Sequence, residues 1–405
     1  MADRLAINGF SACLLCVFLT ACNGTDEAIF QRYLTRLNNV LDQTISLEHQ
    51  AIPSSNTTKN TYKFKQALRL PDKKRLTPTL LNQDNAASIG ILDFLSIKQC
   101  AVQRTIAEKN NHLGKVASTS QQLLNTIRFI QQSPACLEWL KQNDKMRLHA
   151  KLNTSYQHKQ AVLPYLLWQA VINEQEYRDF WSIPLTLGDY PQQQLPKMVA
   201  ALQALYFHAQ QYLAQVPITA EQSESSIKQE RQAPRQTTIK QTPAQQTTAR
   251  TQTINKDVSV QPLDFEEALG ILRHGDGGRL LKSYQQLSTQ LEHANQLIIA
   301  ALNQPFCHPQ HSRPEAKILQ TVVNKVFIGE IQRHANALNQ RYQTIMPLVL
   351  RLEELLSAYE SPDYRHWRLT RDKIFSHARS APKRHILLLN RLYQQCGLRA
   401  GNQTN

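Results

Sequence analysis

The chain has 405 residues with 46 Lys+Arg against 31 Asp+Glu, a formal charge of +15 and a pI near 9.5. Its 41% hydrophobic share allows a sizeable core and excludes wholesale disorder, while 12 Gly and 18 Pro exclude collagen-like designs. Beyond the first two dozen residues no apolar run approaches the ~20 needed for a membrane-spanning helix, so the sequence describes a mostly folded, basic body.

In chain order, Leu5 to Leu19 is an apolar stretch behind Arg4, shorter than a span and placed where a secretory signal sits. It ends in Leu19-Thr20-Ala21-Cys22, which resembles the lipobox of bacterial lipoproteins, where small residues precede a cysteine that is acylated after cleavage. The resemblance implies that 1–21 is a lipoprotein signal peptide and that Cys22 carries palmitate-type chains. The plainer alternative is an ordinary signal with an incidental cysteine. Several acyl chains make anchoring effectively permanent, since each buried CH₂ contributes about 0.8 kcal/mol. Asn23, where Asp favours inner-membrane retention in Gram-negative sorting, points to the outer membrane, facing the periplasm.

Cys13 and Cys16 leave with the signal and Cys22 takes lipid, so Cys100, Cys136, Cys307 and Cys396 remain. An even number in an exported chain suggests two disulfides with three possible connectivities. Cys100–Cys136 and Cys307–Cys396 are favoured, because each pair lies on one side of a central tract and each Cys borders a helical pattern. Four buried thiols are the alternative.

From Asp26, Ile29, Phe30, Tyr33, Leu34, Leu37, Val40 and Leu41 recur every three or four residues, which predicts a helix with one apolar stripe. Residues 56–78 are polar, carry Pro71 and Pro78, and read as a loop. Further helices are expected over 89–109, 121–132, 134–149, 159–173 and 195–214, with Pro134 as a first-turn proline behind the capping candidate Ser133.

Residues 217–262 hold nine Gln, eight Thr and no aromatic, a composition that predicts a disordered low-complexity insertion. Beyond it Leu280, Tyr284, Leu287, Leu291, Ala294, Ile298 and Ala301 form a heptad seam. A second long pattern runs from Pro314 to Tyr359 with Pro347 as a kink, and two shorter helices follow, around Asp363 to His377 and Pro382 to Cys396. Gly397 sits where a helix C-cap would. The expected fold is all-α, a bundle with long antiparallel helices. It is read as one domain in two parts, 22–216 and 263–398, with 399–405 as a flexible tail.

Several segments together resemble the domain-of-unknown-function family 3080. They are Gly90-Ile91-Leu92-Asp93 through Cys100, Glu108-Lys109-Asn110 with Leu113-Gly114-Lys115-Val116, Gly277-Gly278-Arg279-Leu280-Leu281-Lys282-Ser283, Cys307-His308-Pro309, and Cys396-Gly397-Leu398. The resemblance covers about Asp26 to Leu398, with the Gln/Thr tract as an insertion, and implies a lipidated Gram-negative envelope protein without supplying catalytic residues.

Candidate chemistry is sparse. His274, Asp276, Gly277, Gly278 and Arg279 form a Gly-rich turn before a helix that can cradle an anion on backbone N–H groups. The plainer reading is an inter-helix turn capped by Asp276. Without a P-loop Lys-Ser/Thr or a preceding strand, nucleotide binding is not indicated. Cys307-His308-Pro309-Gln310-His311 offers metal ligands, but a second cluster is missing and Cys307 is a disulfide candidate, so no metal or other cofactor is expected. Ser225-Ser226-Ile227-Lys228 is a chance Ser-x-x-Lys inside the low-complexity tract, and no catalytic residues are assigned.

Between Arg365 and Arg399 lie nine Lys+Arg and one acid, Asp372, a net +8, with His366, His377 and His385 interspersed. Nucleic acid is a poor partner for an exported lipoprotein, so this segment points to an anionic envelope surface. A solvated, salt-bridged face is the alternative. Trp367 and Phe375 are expected to face the core. The sequence therefore predicts a lipid-anchored, non-enzymatic envelope interaction protein with an unidentified protein partner. The alternative is a ligand-binding module or enzyme acting on anionic envelope material.

Overall fold

Apolar residues spaced three or four apart make helices throughout. The computed structural model describes residues 26–41, 70–71, 90–188, 190–191, 196–216, 263–303, 306–307 and 314–398, and every regular element among them is helical. The signal and Cys22, most of the 56–78 loop, the tract at 217–262, the histidines of the Cys-His-Pro-Gln-His segment and the tail at 399–405 lie outside the described residues.

In order the helices are α1 Asp26–Leu41, α2 Ile91–Ser96, α3 Val102–Asn110, α4 His112–Lys115, α5 Thr119–Gln142, α6 Met146–Val171 and α7 Gln175–Phe180. There follow α8 Pro196–Leu213, α9 Phe265–Arg273, α10 Gly277–Leu302, α11 Pro314–Val322, a π-helical run Val323–Ile331, α12 Gln332–Leu355 and α13 Pro362–Gln395. Helices α8 and α9, on opposite sides of the 217–262 tract, pack on each other, and one large core draws residues from both parts of the chain.

The seam on α10 behaves as its spacing dictates: all seven of its residues are buried. It packs along α13, with Tyr284 edge-on to Phe375, Asn295 bonded to His385 and the Leu302 carbonyl accepting from Gln395. Position numbers rise together along both helices, so this pair is parallel. The antiparallel pairs are α5 with α6, joined by a short turn, and α12 with α13, where Glu353 meets Arg371 and Tyr342 lies under Arg379. A parallel pair arises because α11 and α12 carry the chain back between α10 and α13.

Three expected boundaries differ. Pro134 does not start a helix but lies inside α5, and Pro382 lies inside α13, so two pairs of expected helices merge. A proline in a helix interior removes one hydrogen bond and costs ~3 kcal/mol. On α5 the buried series Ile127, Ile130, Ser133, Cys136, Leu140 continues across Pro134, and on α13 Phe375, Ala378, Ala381, His385, Leu389 continues across Pro382. Each fully buried large apolar side chain contributes about 1.5–3 kcal/mol, which outweighs the lost bond. The break expected at Pro134 moves to Asn143–Lys145, where Asp144 takes φ 53° and the Asn143 amide donates to the Trp139 carbonyl at 2.8 Å. Residues 89–109 divide into α2 and α3, a break that brings Ile97 and Cys100 into a second, smaller core with Phe129, Cys136, Leu140, Leu148 and Leu152.

Disulfides join Cys100 to Cys136 within that smaller core and Cys307 to Cys396 at the far ends of α10 and α13. Gly397 takes φ 63° and Leu398 N–H returns to the Tyr393 carbonyl at 2.9 Å, closing α13. No described helix is long and apolar enough to cross a membrane.

Candidate functional site

At the Gly-rich turn, where an anion cradle is expected, the glycines serve close packing. Gly277 and Gly278 open α10 and are buried, and a Cβ on Gly278 would lie 2.1 Å from the Ser182 carbonyl oxygen. The Phe180 ring occupies the space beside Gly275 and Gly277. The small residues here let α10 approach the α7 exit closely. Asp276 makes no side-chain cap; its Oδ2 lies 2.8 Å from Arg341 Nη2, and the Arg341 guanidinium stands over the Tyr190 ring. Burial, then the Asp276 charge, raises the Tyr190 hydroxyl pKa. His274 and Arg279 point outward as exposed side chains and do not converge with the glycines.

The basic segment on α13 is also different inside the fold. Arg371 is fully buried, bidentate to Glu353 at 2.6 and 2.9 Å, and its guanidinium lies 4.8 and 5.1 Å from the ring centroids of Trp181 and Trp367, which meet edge-to-face. The Tyr177 and Tyr364 hydroxyls both donate to Glu353 Oε1, the second at 2.8 Å. Burial pushes the Glu353 carboxyl up, but the Arg371 charge and these donors hold it below the usual range. Arg365 and Arg368 pair with Glu360, and Arg379 covers the Tyr342 ring at 4.2 Å. Lys373, Lys383 and Arg391 are exposed.

His385, in the same segment, is fully buried and neutral. It takes a hydrogen bond from the Tyr33 hydroxyl on Nε2 and donates from Nδ1 to Asn295 Oδ1, each at 2.7 Å, and burial lowers its pKa to about 3. Trp367 and Phe375 face the core, as their spacing predicts.

An open cleft lies elsewhere, between the α3–α4 turn, α5 and α6. Its cavity of about 590 Å³ carries Lys109 and Lys115 on one wall, Gln122 and Asn125 from α5 on a second, and Lys159 and Gln169 from α6 on a third. Val162, Tyr165 and Leu166 form an apolar floor. A smaller cavity of about 240 Å³ adjoins it across Gly114 and Asn125 and reaches Arg128. The wall is built locally. Asn111 ends α3 in an extended conformation and its Oδ1 accepts the Gly114 N–H at 2.7 Å, while a Cβ on residue 114 would fall 2.1 Å from the Glu108 carbonyl oxygen. Only glycine allows α4 to fold so tightly against the end of α3, and both Lys109 and Lys115 line the cleft there.

Gln169 sharpens the picture. Its Oε1 accepts from Asn173 at 2.7 Å, whereas its Nε2 is buried without a hydrogen-bond partner. Glu108, in the smaller cavity, is engaged by Arg104 at 2.9 Å and Arg128 at 3.2 Å. Among the described residues, no grouping of His, Cys, Asp and Glu is arranged to hold a metal, and Cys307 is in a disulfide.

The sequence model of a family described as "Protein of unknown function (DUF3080)" matches residues 30–261 and 192–400, nearly the whole chain. The chain belongs to this family. No curated protein and no solved structure matches it. Two of the segments that carry the family resemblance acquire physical roles here. Gly277-Gly278 is the close contact between α10 and the α7 exit, and Glu108-Lys109-Asn110 with Leu113-Gly114-Lys115 is the wall of the cleft. Lys159 and Gln169 have no such mark in the sequence, because only the antiparallel return of α6 brings them to that wall.

Proposed function

We propose that this chain is a lipid-anchored lipoprotein of the bacterial cell envelope, held by acylated Cys22 at the outer membrane with its helical body in the periplasm, and that it acts by binding, not by catalysis. The observation that carries this reading is Leu19-Thr20-Ala21-Cys22 closing an apolar run behind Arg4. Two disulfides support it, since such bridges persist in oxidising compartments. The cleft supports a binding role: lysines and carboxamides hold a ligand by charge and hydrogen bonds. Exposed Lys373, Lys383 and Arg391 on α13 add contacts to an anionic envelope surface. The partner protein is to be sought by in vivo crosslinking from this anchored position.

The test is Cys22→Ala followed by metabolic labelling with a palmitate analogue and fractionation. The variant is expected to lose label and leave the membrane fraction. Retention in that fraction without label overturns the anchor.

A further inference from the structure

We propose that the cleft between the α3–α4 turn, α5 and α6 is a binding site for an acidic amino-sugar chain. Lys109, Lys115 and Lys159 meet its negative charges, and the carboxamides of Gln122, Asn125 and Gln169 meet its hydroxyl and amide groups. The proposal rests on the envelope reading above, because that compartment is where such sugars are found.

Four observations converge. The larger cavity is lined by three lysines and no Asp or Glu, so its field selects a negative ligand. The carboxamides of Gln122, Asn125 and Gln169 line the same cavity and offer both donors and acceptors to sugar hydroxyl and amide groups. The volume of about 590 Å³ suits two or three sugar rings, and the Val162, Tyr165 and Leu166 floor matches their apolar C–H faces. The smaller cavity continues past Gly114 and Asn125 to Arg128, so the site is elongated and fits a chain better than a single small anion. Its one carboxylate, Glu108, is held by two arginines and does not repel the ligand.

Acidic amino sugars come from two envelope sources: carboxylate-bearing cell-wall glycan and phosphate-bearing lipopolysaccharide. The full chain, purified in detergent, is titrated calorimetrically with the disaccharide of N-acetylglucosamine and N-acetylmuramic acid, with a bisphosphorylated glucosamine disaccharide, and with neutral di-N-acetylchitobiose. One acidic disaccharide is expected to bind at least about tenfold more tightly than chitobiose, equivalent to about 1.4 kcal/mol, and which one binds names the source. The Lys109→Ala/Lys115→Ala double variant should weaken it about tenfold or more at unchanged melting temperature, Gln169→Leu should weaken it severalfold, and added salt should weaken it further. Absence of binding by both acidic sugars, equal binding of chitobiose, or undiminished affinity in the double variant overturns the proposal. Acylated Cys22 with no sugar binding defeats the cleft alone, while unacylated Cys22 with intact binding defeats the anchor and leaves the cleft standing.

Discussion

Two basic regions of this molecule look unequal in the sequence, and the fold narrows the difference. The segment from Arg365 to Arg399 has nine basic residues, but Arg371 is buried against Glu353 and the rings of Trp181 and Trp367, Arg365 and Arg368 are paired with Glu360, and His385 is a neutral core residue. The cleft has three lysines, Lys109 and Lys115 from the α3–α4 turn and Lys159 from α6, and all three line an open space. Charge density along a chain measures what a helix carries. Availability depends on where the acids and aromatic rings of the other helices fall.

The sharpest way to break this comparison is to remove one partner of the interior pair. Glu353→Ala leaves Arg371 charged and buried and is expected to lower stability by about 3–5 kcal/mol in urea unfolding. A paired Glu353→Leu/Arg371→Met change should recover much of that loss, and equal loss in both variants would show that the site is held by packing alone. Next, replacing Cys307 and Cys396 together by Ser should cost about 2–5 kcal/mol, read as a lower denaturant midpoint under oxidising conditions, because the bridge fastens the far ends of α10 and α13.

Acid gives a smaller, graded effect. The pKa of His385 is about 3 in the folded chain against an ordinary 6.5, so the unfolded chain binds the extra proton between these values. Its contribution is complete above pH 6.5 and is lost as pH falls towards 3, with Glu353, held below its ordinary value, adding loss in the carboxylate range. His385→Asn should flatten the melting temperature against pH between 6.5 and 4; an unchanged slope would place the acid sensitivity elsewhere. Smallest of all, Lys109→Ala and Lys115→Ala should each change stability by no more than about 0.5 kcal/mol, as befits exposed side chains. A larger loss would mean that the cleft, like α13, uses its charges to hold the fold.

Much of the fold was legible in the sequence for simple reasons. The α10 seam and the stripe on α1 follow helical spacing because one face must be buried. Helix ends at prolines were misread, since the rule that proline starts or stops helices concerns local hydrogen bonds, whereas Pro134 and Pro382 sit in helices fixed by long buried stripes. The Gly-rich turn advertised itself as an anion cradle because the same backbone freedom serves close packing, and only the Ser182 carbonyl and Phe180 ring distinguish the two uses. The cleft was legible in part: Asn111 and Gly114 announce a tight turn, but Gln169 becomes a site residue only through the register between α5 and α6.

The bond between Tyr33 and His385 joins positions 352 apart, and Asn295, which completes that triad, lies 90 residues before the histidine. Helix α1 packs chiefly on α10, α11 and the π-helical run, so a chain that emerges N-terminus first cannot seat α1 until those elements, beyond the 217–262 tract, have also emerged. The first helix must therefore wait, its apolar stripe exposed, until the second part of the chain arrives. Loss of the chain beyond the 217–262 tract, even with every earlier helix intact, would leave the first helix without the partners that receive it.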